Sequence, residues 1–258
     1  MSDSIIHPSA IIDAEVEIGE GVRIGPGCVI RGKVKLGAGC ELLNHVTIEG
    51  PTEIGVENIF HTGAVIGGRT QDLKYAGEPT YLKIGDHNNF REYVTVNRAT
   101  IKGASTIIGS HGNFLAYSHI AHDCIVGDHV IFSNNGTLAG HVTMGDHAIL
   151  GGLTAVHQFC RIGDHVITGG CSKIVQDIPP YMIADGNPAK VRAVNSEGLR
   201  RRGFDDESIR TVKKAFKKLY RKDLNKSDAI AALRELPDES GFIAKLIEFV
   251  NTSERGIH

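Results

Sequence analysis

A period of six residues governs the chain from near its N-terminus to Ile174. With four exceptions, every sixth residue from Ile6 to Ile174 is Ile, Leu, Val, Phe or Met. The exceptions are Asp72, Glu78, Lys102 and Thr168. The residue two places before each of these positions is usually small, and residues two apart in a strand share one face. Each hexad is therefore predicted to be a short strand with one small and one aliphatic side chain turned inward.

The strict period of six disfavours other common architectures. An amphipathic helix needs apolar residues at a spacing of about 3.6, and a β-sandwich needs a turn every 8–12 residues or so. Three hexads instead form a triangular coil of 18 residues, and successive coils stack as parallel strands roughly 4.8 Å apart. The sequence therefore predicts a mainly β fold over residues 1–190. It resembles the left-handed parallel β-helix of hexapeptide-repeat proteins, which are mostly trimeric acyltransferases.

Two interruptions and a C-terminal change of pattern complete the predicted organisation. The period breaks at about residues 72–83 and 97–107, which we expect to be loops, and insertions in repeat proteins often lie on a binding face. Prolines after Ile174 end the strand stacking. Residues 191–258 are predicted to form an α-helical domain. Its helices are expected at residues 205–221, 227–236 and 239–252.

The composition limits the location and partners of the protein. The net charge of −2 and a pI near 6.7 argue against a surface built for nucleic acid. No run approaches the roughly 20 apolar residues of a membrane span, and the N-terminal segment lacks the pattern of a secretory signal. Five cysteines without a C-x-x-C pair fit reduced thiols. We expect a cytoplasmic protein without a transmembrane segment.

The coil period makes the segment HIAHDC, residues 119–124, interpretable. Residues 18 apart should lie one above another, which gathers polar and glycine positions on one edge of the solenoid. These positions are His122, Asp123, Gly140, His141, His157 and Gln158. A second column, made of His111, His129, His147 and His165, lacks this mixture of base, carboxylate and glycine, and we interpret its members as solvated turn residues.

The edge cluster offers the groups that acyl transfer requires. His122 has the intrinsic pKa of a general base, Asp123 could orient it, and Gly140 would let a carbonyl approach a bare backbone N–H. Two alternatives remain open at this point. His119, His122 and His141 could bind zinc, as in β-helical carbonic anhydrases, or the solenoid could be a purely structural scaffold.

Particular segments resemble the UDP-N-acetylglucosamine O-acyltransferases that open lipid A biosynthesis. The matching segments are GGRTQDLKYAGEPT (67–80), HIAHDC (119–124), NNGTLAGHV (134–142), GGLTAVHQFC (151–160), GGCSKIVQDIPPY (169–181) and NSEGLRRRGF (195–204). The N-acyltransferases of the same pathway normally carry an additional domain before the β-helix. The repeat here starts at Ile6, so the O-acyltransferases are the expected relatives.

The resemblance implies a specific reaction and site. A (R)-3-hydroxyacyl chain would pass from acyl carrier protein to the 3-hydroxyl of UDP-N-acetylglucosamine, with no cofactor or metal, in a homotrimer whose sites lie between subunits. His122 matches the base, Asp123 its neighbouring acid and Gly140 the oxyanion amide. Substrate-binding positions are matched by Asp72, Lys74, His119, His141, His157, Gln158, Asn195, Glu197 and Arg201.

The resemblance also has one departure and two further implications. Asn97 stands where a histidine usually precedes the second-loop arginine, which leaves a 3-amino sugar acceptor open. Gly170 matches the position that limits acyl length, and glycine there implies a longer chain, although Ile167 could alter the pocket floor. Residues 200–222 contain ten basic side chains against three acids and would receive the acidic carrier protein.

Overall fold

The computed structural model describes residues 4–220 and 224–257, and its first part is a stack of short strands. In chain order the strands are β1 (Ile5–Ile6), β2 (Ile11–Ile12), β3 (Glu17–Ile18), β4 (Arg23–Ile24), β5 (Val29–Arg31), β6 (Val34–Leu36), β7 (Glu41–Leu42), β8 (Thr47–Glu49), β9 (Thr52–Ile54), β10 (Ile59–Phe60), β11 (Val65–Gly68), β12 (Tyr81–Ile84), β13 (Asn89–Phe90), β14 (Thr95–Asn97), β15 (Ser105–Ile108), β16 (Asn113–Phe114), β17 (His119–Ile120), β18 (Ile125–Val126), β19 (Ile131–Phe132), β20 (Thr137–Leu138), β21 (Thr143–Met144), β22 (Ile149–Leu150), β23 (Ala155–Val156), β24 (Arg161–Ile162), β25 (Ile167–Thr168), β26 (Lys173–Ile174), β27 (Met182–Gly186) and β28 (Ala189–Val194).

Every third strand joins the same sheet, so the chain winds around three faces. The first sheet runs from β1 through β4 and β7 to β25, β27 and β28, the second from β2 to β26, and the third from β3 to β24. All pairings are parallel except that of β27 with β28. The predicted fold class, a parallel β-helix followed by helices, is confirmed.

The three faces meet at three corners, which we name by the order of the sheets. The first corner joins the first sheet to the second and includes residues 133–136, the second corner joins the second sheet to the third and includes residues 139–142, and the third corner joins the third sheet to the first and includes residues 145–148. Each corner recurs in every coil. A side chain at a corner therefore stacks on its equivalents in the coils before and after it.

The two interruptions are loops at the second corner. The first loop, residues 69–80, connects β11 to β12, and the second loop, residues 98–104, connects β14 to β15. Pairing across them shifts from the usual 18 residues to 30 for Phe60 with Phe90 and to 24 for Phe90 with Phe114. The insertions thus add two hexads and one hexad, which is why the period of six persists through both.

The predicted bounds of the loops were displaced toward the C-terminus. Residues 81–83 belong to β12, residues 105–107 belong to β15, and Asn97 belongs to β14. The sequence does not reveal this because TYLK and ASTII lie where the apolar series is still interrupted by polar residues. The strands resume before the inward-facing Ile84 and Ile108, and their backbone pairing with the neighbouring coil decides where they begin.

The inside of the solenoid is a continuous apolar core. Phe60, Phe90 and Phe114 are fully buried, and their rings stack at centroid distances of 5.1 and 4.7 Å. The second, small series fills the remaining space near the corners. As the sequence predicts, four of the five cysteines are buried small residues of this series, while Cys171 is exposed. Burial raises the pKa of the Cys124 thiol to about 12, so it stays protonated.

Four helices follow the strands within the described residues. They are α1 (Ser196–Arg201), α2 (Asp206–Tyr220), α3 (Lys226–Arg234) and α4 (Phe242–Asn251). The three predicted helices match α2, α3 and α4, although residue 221 lies outside the described residues. Helix α1 was not predicted because one and a half turns are too short to show a helical period. The division at residue 190 falls inside β28 and stays a prediction, and no described helix is long and apolar enough to cross a membrane.

The third corner carries a stacked histidine column. His87, His111, His129, His147 and His165 have φ angles between 56° and 60°, and neighbouring rings stack at 4.7 to 4.9 Å. Histidine is among the residues that enter this left-handed region more readily. The interpretation of these residues as solvated was wrong for the top of the column. Burial lowers the pKa of His165 from 6.5 to about 4, and Phe204 meets its ring edge-on at 5.1 Å.

We predict that His165→Phe makes the stability of the protein less sensitive to acid. The folded state disfavours protonated His165, whereas the unfolded chain binds that proton below about pH 6.5, so stability falls as the pH drops from about 6.5 toward 4. Phenylalanine keeps a ring to stack and is tolerated at the equivalent left-handed angle in Phe159. Denaturant unfolding at about pH 7 and about pH 5 should show a smaller loss in the variant. An equal loss in both proteins would contradict the prediction.

Candidate active site

The predicted edge cluster lies at the second corner, beside both loops. The register of β17, β20 and β23 stacks His122, Gly140 and Gln158 in three successive coils. Asp123 and His141 occupy the adjacent left-handed positions, with φ angles of 58° and 61°. Five consecutive hexads would give an ordinary solenoid edge, but here the two insertions rise next to it. The second corner therefore combines stacked polar side chains with the two largest departures from the repeat.

His122 and Asp123 form a buried pair. His122 Nδ1 lies 2.8 Å from Asp123 Oδ2, and the side chains are 13% and 6% exposed. Asp123 is fixed by two further bonds, because its N–H donates to Thr106 Oγ1 at 2.9 Å and its Oδ2 accepts from the Thr100 N–H at 2.9 Å. When Nδ1 donates to the carboxylate, Nε2 of a neutral imidazole is an acceptor. This arrangement leaves Nε2 able to take a proton.

Gly140 lies against the His122 ring. A Cβ built on Gly140 would be 2.6 Å from His122 Nε2, so a side chain at this position would displace the imidazole. The Gly140 N–H makes no hydrogen bond to another described residue. A free backbone donor next to a basic nitrogen is the combination that stabilises an oxyanion beside a general base.

His141 and His119 flank the pair. His141 meets the His122 ring edge-on at 5.2 Å, stacks on Phe159 at 4.6 Å, and has its Nε2 3.9 Å from Asp123 Oδ2. His119 Nδ1 lies 2.7 Å from Thr95 Oγ1. Burial first, and then the nearby His122, lower the pKa of His119. His119 is therefore neutral near pH 7 and can offer a hydrogen bond without charge.

A metal could be held by a different set from the one that the sequence suggested. The ligand atoms of His122, Asp123 and His141 all lie within 4.8 Å of one another, and this is the one such group among the described residues. His119 is not part of it, because its Nδ1 is engaged by Thr95. The zinc set His119, His122 and His141 is thus not supported, whereas the group with Asp123 has a mixed nitrogen and oxygen donor set that zinc accepts.

His157, Gln158, Asp72 and Lys74 border the same corner. His157 and Gln158 are exposed one coil above Gly140, and His157 Nδ1 lies 3.1 Å from the Gln158 carbonyl. In the first loop, Asp72 Oδ1 accepts from the Lys74 N–H at 2.9 Å. No ion pair within 4.0 Å joins these two side chains in the described structure, so the loop leaves both charges available.

The remaining predicted site residues lie elsewhere in the chain. Asn195 is at the third corner, where its Nδ2 donates to the His165 carbonyl at 2.9 Å and its Oδ1 caps α1. Glu197 binds Arg201 at 3.1 Å within α1. Gly170 is at the first corner, and Ile167 begins β25 in the first sheet. One copy of the chain therefore does not bring all the predicted residues together.

Sequence reasoning missed four residues that surround the pair. Thr95, Thr100, Thr106 and Phe159 contact His119, Asp123 or His141, as the distances above show. Three of them precede the cluster by intervals that differ from 18, because the second loop lengthens their coil by one hexad. Adding six residues to the column spacing would have aligned Thr95 with His119, which is the only signal that the sequence offered.

Comparison with known proteins agrees with this geometry. A family model for six bacterial transferase hexapeptide repeats matches residues 1–32, and a model described as domain 2 of UDP-N-acetylglucosamine O-acyltransferase matches residues 177–258. Together with the repeating coils and the His–Asp pair, the first match assigns the chain to the hexapeptide-repeat transferases.

Full-length relatives narrow this assignment. The acyl-(acyl-carrier-protein)–UDP-N-acetylglucosamine O-acyltransferase of Thermodesulfovibrio yellowstonii is 48% identical over 98% of both chains. LpxA from Acinetobacter baumannii has a TM-score of 0.95 at 44% identity, covering 98% of this chain and 99% of that one. The UDP-N-acetylglucosamine O-acyltransferase (LpxA) from Moraxella catarrhalis has a TM-score of 0.94 at 43% identity, covering 98% of each. The chain belongs to the UDP-N-acetylglucosamine O-acyltransferase family.

We predict that Gly140→Ala disrupts the pair without unfolding the coil. The added methyl group occupies space now filled by the His122 ring, so the imidazole must rotate away from Asp123. Gly152→Ala is the matched control, since its Cβ would meet only the Asn134 carbonyl oxygen at 3.6 Å. Crystal structures should show the His122–Asp123 hydrogen bond lost in the first variant and retained in the second. An unmoved His122 in Gly140→Ala would refute the prediction.

Proposed function

We propose that this protein transfers a (R)-3-hydroxyacyl chain from acyl carrier protein to the 3-hydroxyl of UDP-N-acetylglucosamine, the first step of lipid A biosynthesis. The observation that carries the proposal is the buried His122–Asp123 pair next to the free Gly140 N–H, in a chain that belongs to this family. The pair supplies a base with a defined tautomer, and the glycine supplies an oxyanion donor.

The proposed mechanism uses these groups in sequence. His122 Nε2 removes the proton from the sugar 3-hydroxyl as its oxygen attacks the thioester carbonyl. The tetrahedral oxyanion accepts a hydrogen bond from the Gly140 N–H. Collapse of this intermediate breaks the carbon–sulfur bond, and protonated His122 returns its proton to the thiolate of the carrier. Asp123 keeps the imidazole oriented and stabilises its transient positive charge.

Substrate contacts in this proposal come from more than one copy of the chain. The acceptor nucleotide would contact the positions that surround the second corner and those near the third. These positions are Asp72, Lys74, His119, His141, His157, Gln158, Asn195, Glu197 and Arg201. Their separation on different corners supports a homotrimer in which the second corner of one subunit meets the helical region of the next.

A face of α2 fits the acidic donor protein. Arg210, Lys213, Lys214 and Lys217 recur at helical spacing, are exposed, and form no ion pair within 4.0 Å in the described part of the chain. Arg200 and Arg201 are instead paired with Glu197. An unpaired basic face steers an acidic partner toward its docking position, which supports acyl carrier protein as the donor.

We predict that His122→Ala nearly abolishes acyl transfer to UDP-N-acetylglucosamine. Loss of a general base typically costs about 10²–10⁴-fold in rate. His7→Ala, at an exposed histidine of the first coil, is the control and should leave the rate unchanged. Initial rates with purified protein, acylated carrier and sugar nucleotide provide the measurement.

Parallel reactions separate this mechanism from the alternatives. Full activity in the presence of a chelator is expected, whereas loss with chelator alone would indicate a metal at His122, Asp123 and His141. A 3-amino acceptor belongs in the same series because Asn97 departs from the usual histidine. No transfer to either acceptor by the wild-type protein would refute the proposed function.

We predict that Gly170 permits a long acyl chain and that Gly170→Met shortens the preferred one. A Cβ on Gly170 would approach only the Gly152 carbonyl oxygen, at 3.4 Å, so a side chain can extend from this exposed position without distorting the coil. Competition between carriers bearing chains of about ten and about fourteen carbons tests the idea. A wild-type preference for the shorter chain would refute it and direct attention to the neighbouring Ile167.

A further inference from the structure

We propose that the hydroxyl pair of Thr70 and Thr100 positions the catalytic pair and links it to the first loop. This inference rests on the proposed function, because it assigns a role within that reaction. Thr70 and Thr100 touch neither reacting atom, so they act through Asp123 and are positioning residues.

The contacts form an unbroken chain across the second corner. The Asp72 N–H donates to Thr70 Oγ1 at 3.2 Å, and Thr70 Oγ1 lies 2.6 Å from Thr100 Oγ1. The Thr100 N–H then donates to Asp123 Oδ2 at 2.9 Å, and the same oxygen accepts from His122 Nδ1 at 2.8 Å. Four hydrogen bonds thus connect the backbone of the first loop to the base.

Asp123 depends on this chain because its side chain has few other partners. Its Oδ1 is buried and has no hydrogen-bond partner among the described residues. The two bonds to Oδ2 are therefore what fixes the rotation of the carboxylate, whose χ2 torsion is intrinsically soft. If the Thr100 N–H shifts, Asp123 can rotate, and His122 then loses the acceptor that sets its tautomer and ring angle.

Thr100 depends in turn on Thr70. Thr100 belongs to the second loop, whose next residues Ile101, Lys102 and Gly103 are exposed. Thr70 is only 6% exposed, so the pair is shielded from water that would otherwise replace the bond. The hydroxyl pair is thus a side-chain tie between the two loops at the point where Thr100 bonds Asp123.

The consequence is a specific kinetic signature. Removing either hydroxyl should release Thr100 and misalign Asp123, which lowers kcat while the KM for the sugar nucleotide changes little. Valine replaces threonine without changing its shape, so Thr70→Val and Thr100→Val isolate the hydroxyl. The loss of one buried hydrogen bond corresponds to a decrease of roughly 3–10-fold.

Two comparisons distinguish positioning from general destabilisation. Thr62→Val is the matched control, because Thr62 Oγ1 donates to Asn44 Oδ1 at 2.7 Å in a first-corner turn remote from the catalytic pair. It should lower the melting temperature as much as the test variants and leave kcat unchanged. Thr100→Ser keeps the hydroxyl and should retain kcat within about twofold of the wild-type value.

The experiment measures kcat and KM for these four variants and for the double variant Thr70→Val/Thr100→Val, with crystal structures of wild-type protein and Thr100→Val. We expect the double variant to lose no more than the more impaired single one, since both remove the same bond. In Thr100→Val the Asp123 carboxylate should rotate. Multiplicative losses, an unmoved carboxylate, or an equal loss of kcat in Thr62→Val would overturn the inference. Inactive wild-type protein would refute the proposed function, whereas active wild-type protein with unimpaired valine variants would refute this inference alone.

Discussion

Backbone hydrogen bonding between successive coils is the interaction on which the rest of this structure depends. In each sheet a strand pairs with the strand one coil away, and the regular partners are 18 residues apart. Every side chain is thereby placed directly over its equivalent. The stacked phenylalanines inside, the histidine column at the third corner and the polar cluster at the second corner all follow from that one register.

Positions at the corners acquire their chemistry from the same constraint. Each coil must turn through a left-handed residue, and Asp, Asn, His and Gly enter that region at the lowest cost. A solenoid of this kind therefore presents columns of exactly those residues that can bind protons, anions or metals. At the third corner the repetition yields a uniform histidine column, which has no division of labour. At the second corner Asp123, His141 and Phe159 alternate, and this variation permits a base, its partner and a stacking surface.

Much of the fold and the centre of the site could be predicted from sequence because both follow from periodicity. The period of six gave the coils, and the coil length brought His122, Asp123 and Gly140 together. The threonines around Asp123 could not be predicted, since an insertion of one hexad moved Thr95 to 24 residues before its partner His119. Helix α1 escaped prediction for the opposite reason, because it is too short to have a period. Burial of His165 depends on contact with Phe204, which no local pattern encodes.

A triangular solenoid is convex, and this shape determines where specificity can arise. A single corner can align a base and an oxyanion donor, but it cannot surround a nucleotide. The two insertions partly solve this problem, since both rise from the second corner and are tied together by Thr70 and Thr100. The rest of an enclosing surface must come from another convex body. A neighbouring subunit that presents its third corner, with Asn195 and α1, is the simplest source, because a threefold heterologous contact closes on itself and repeats the same site three times.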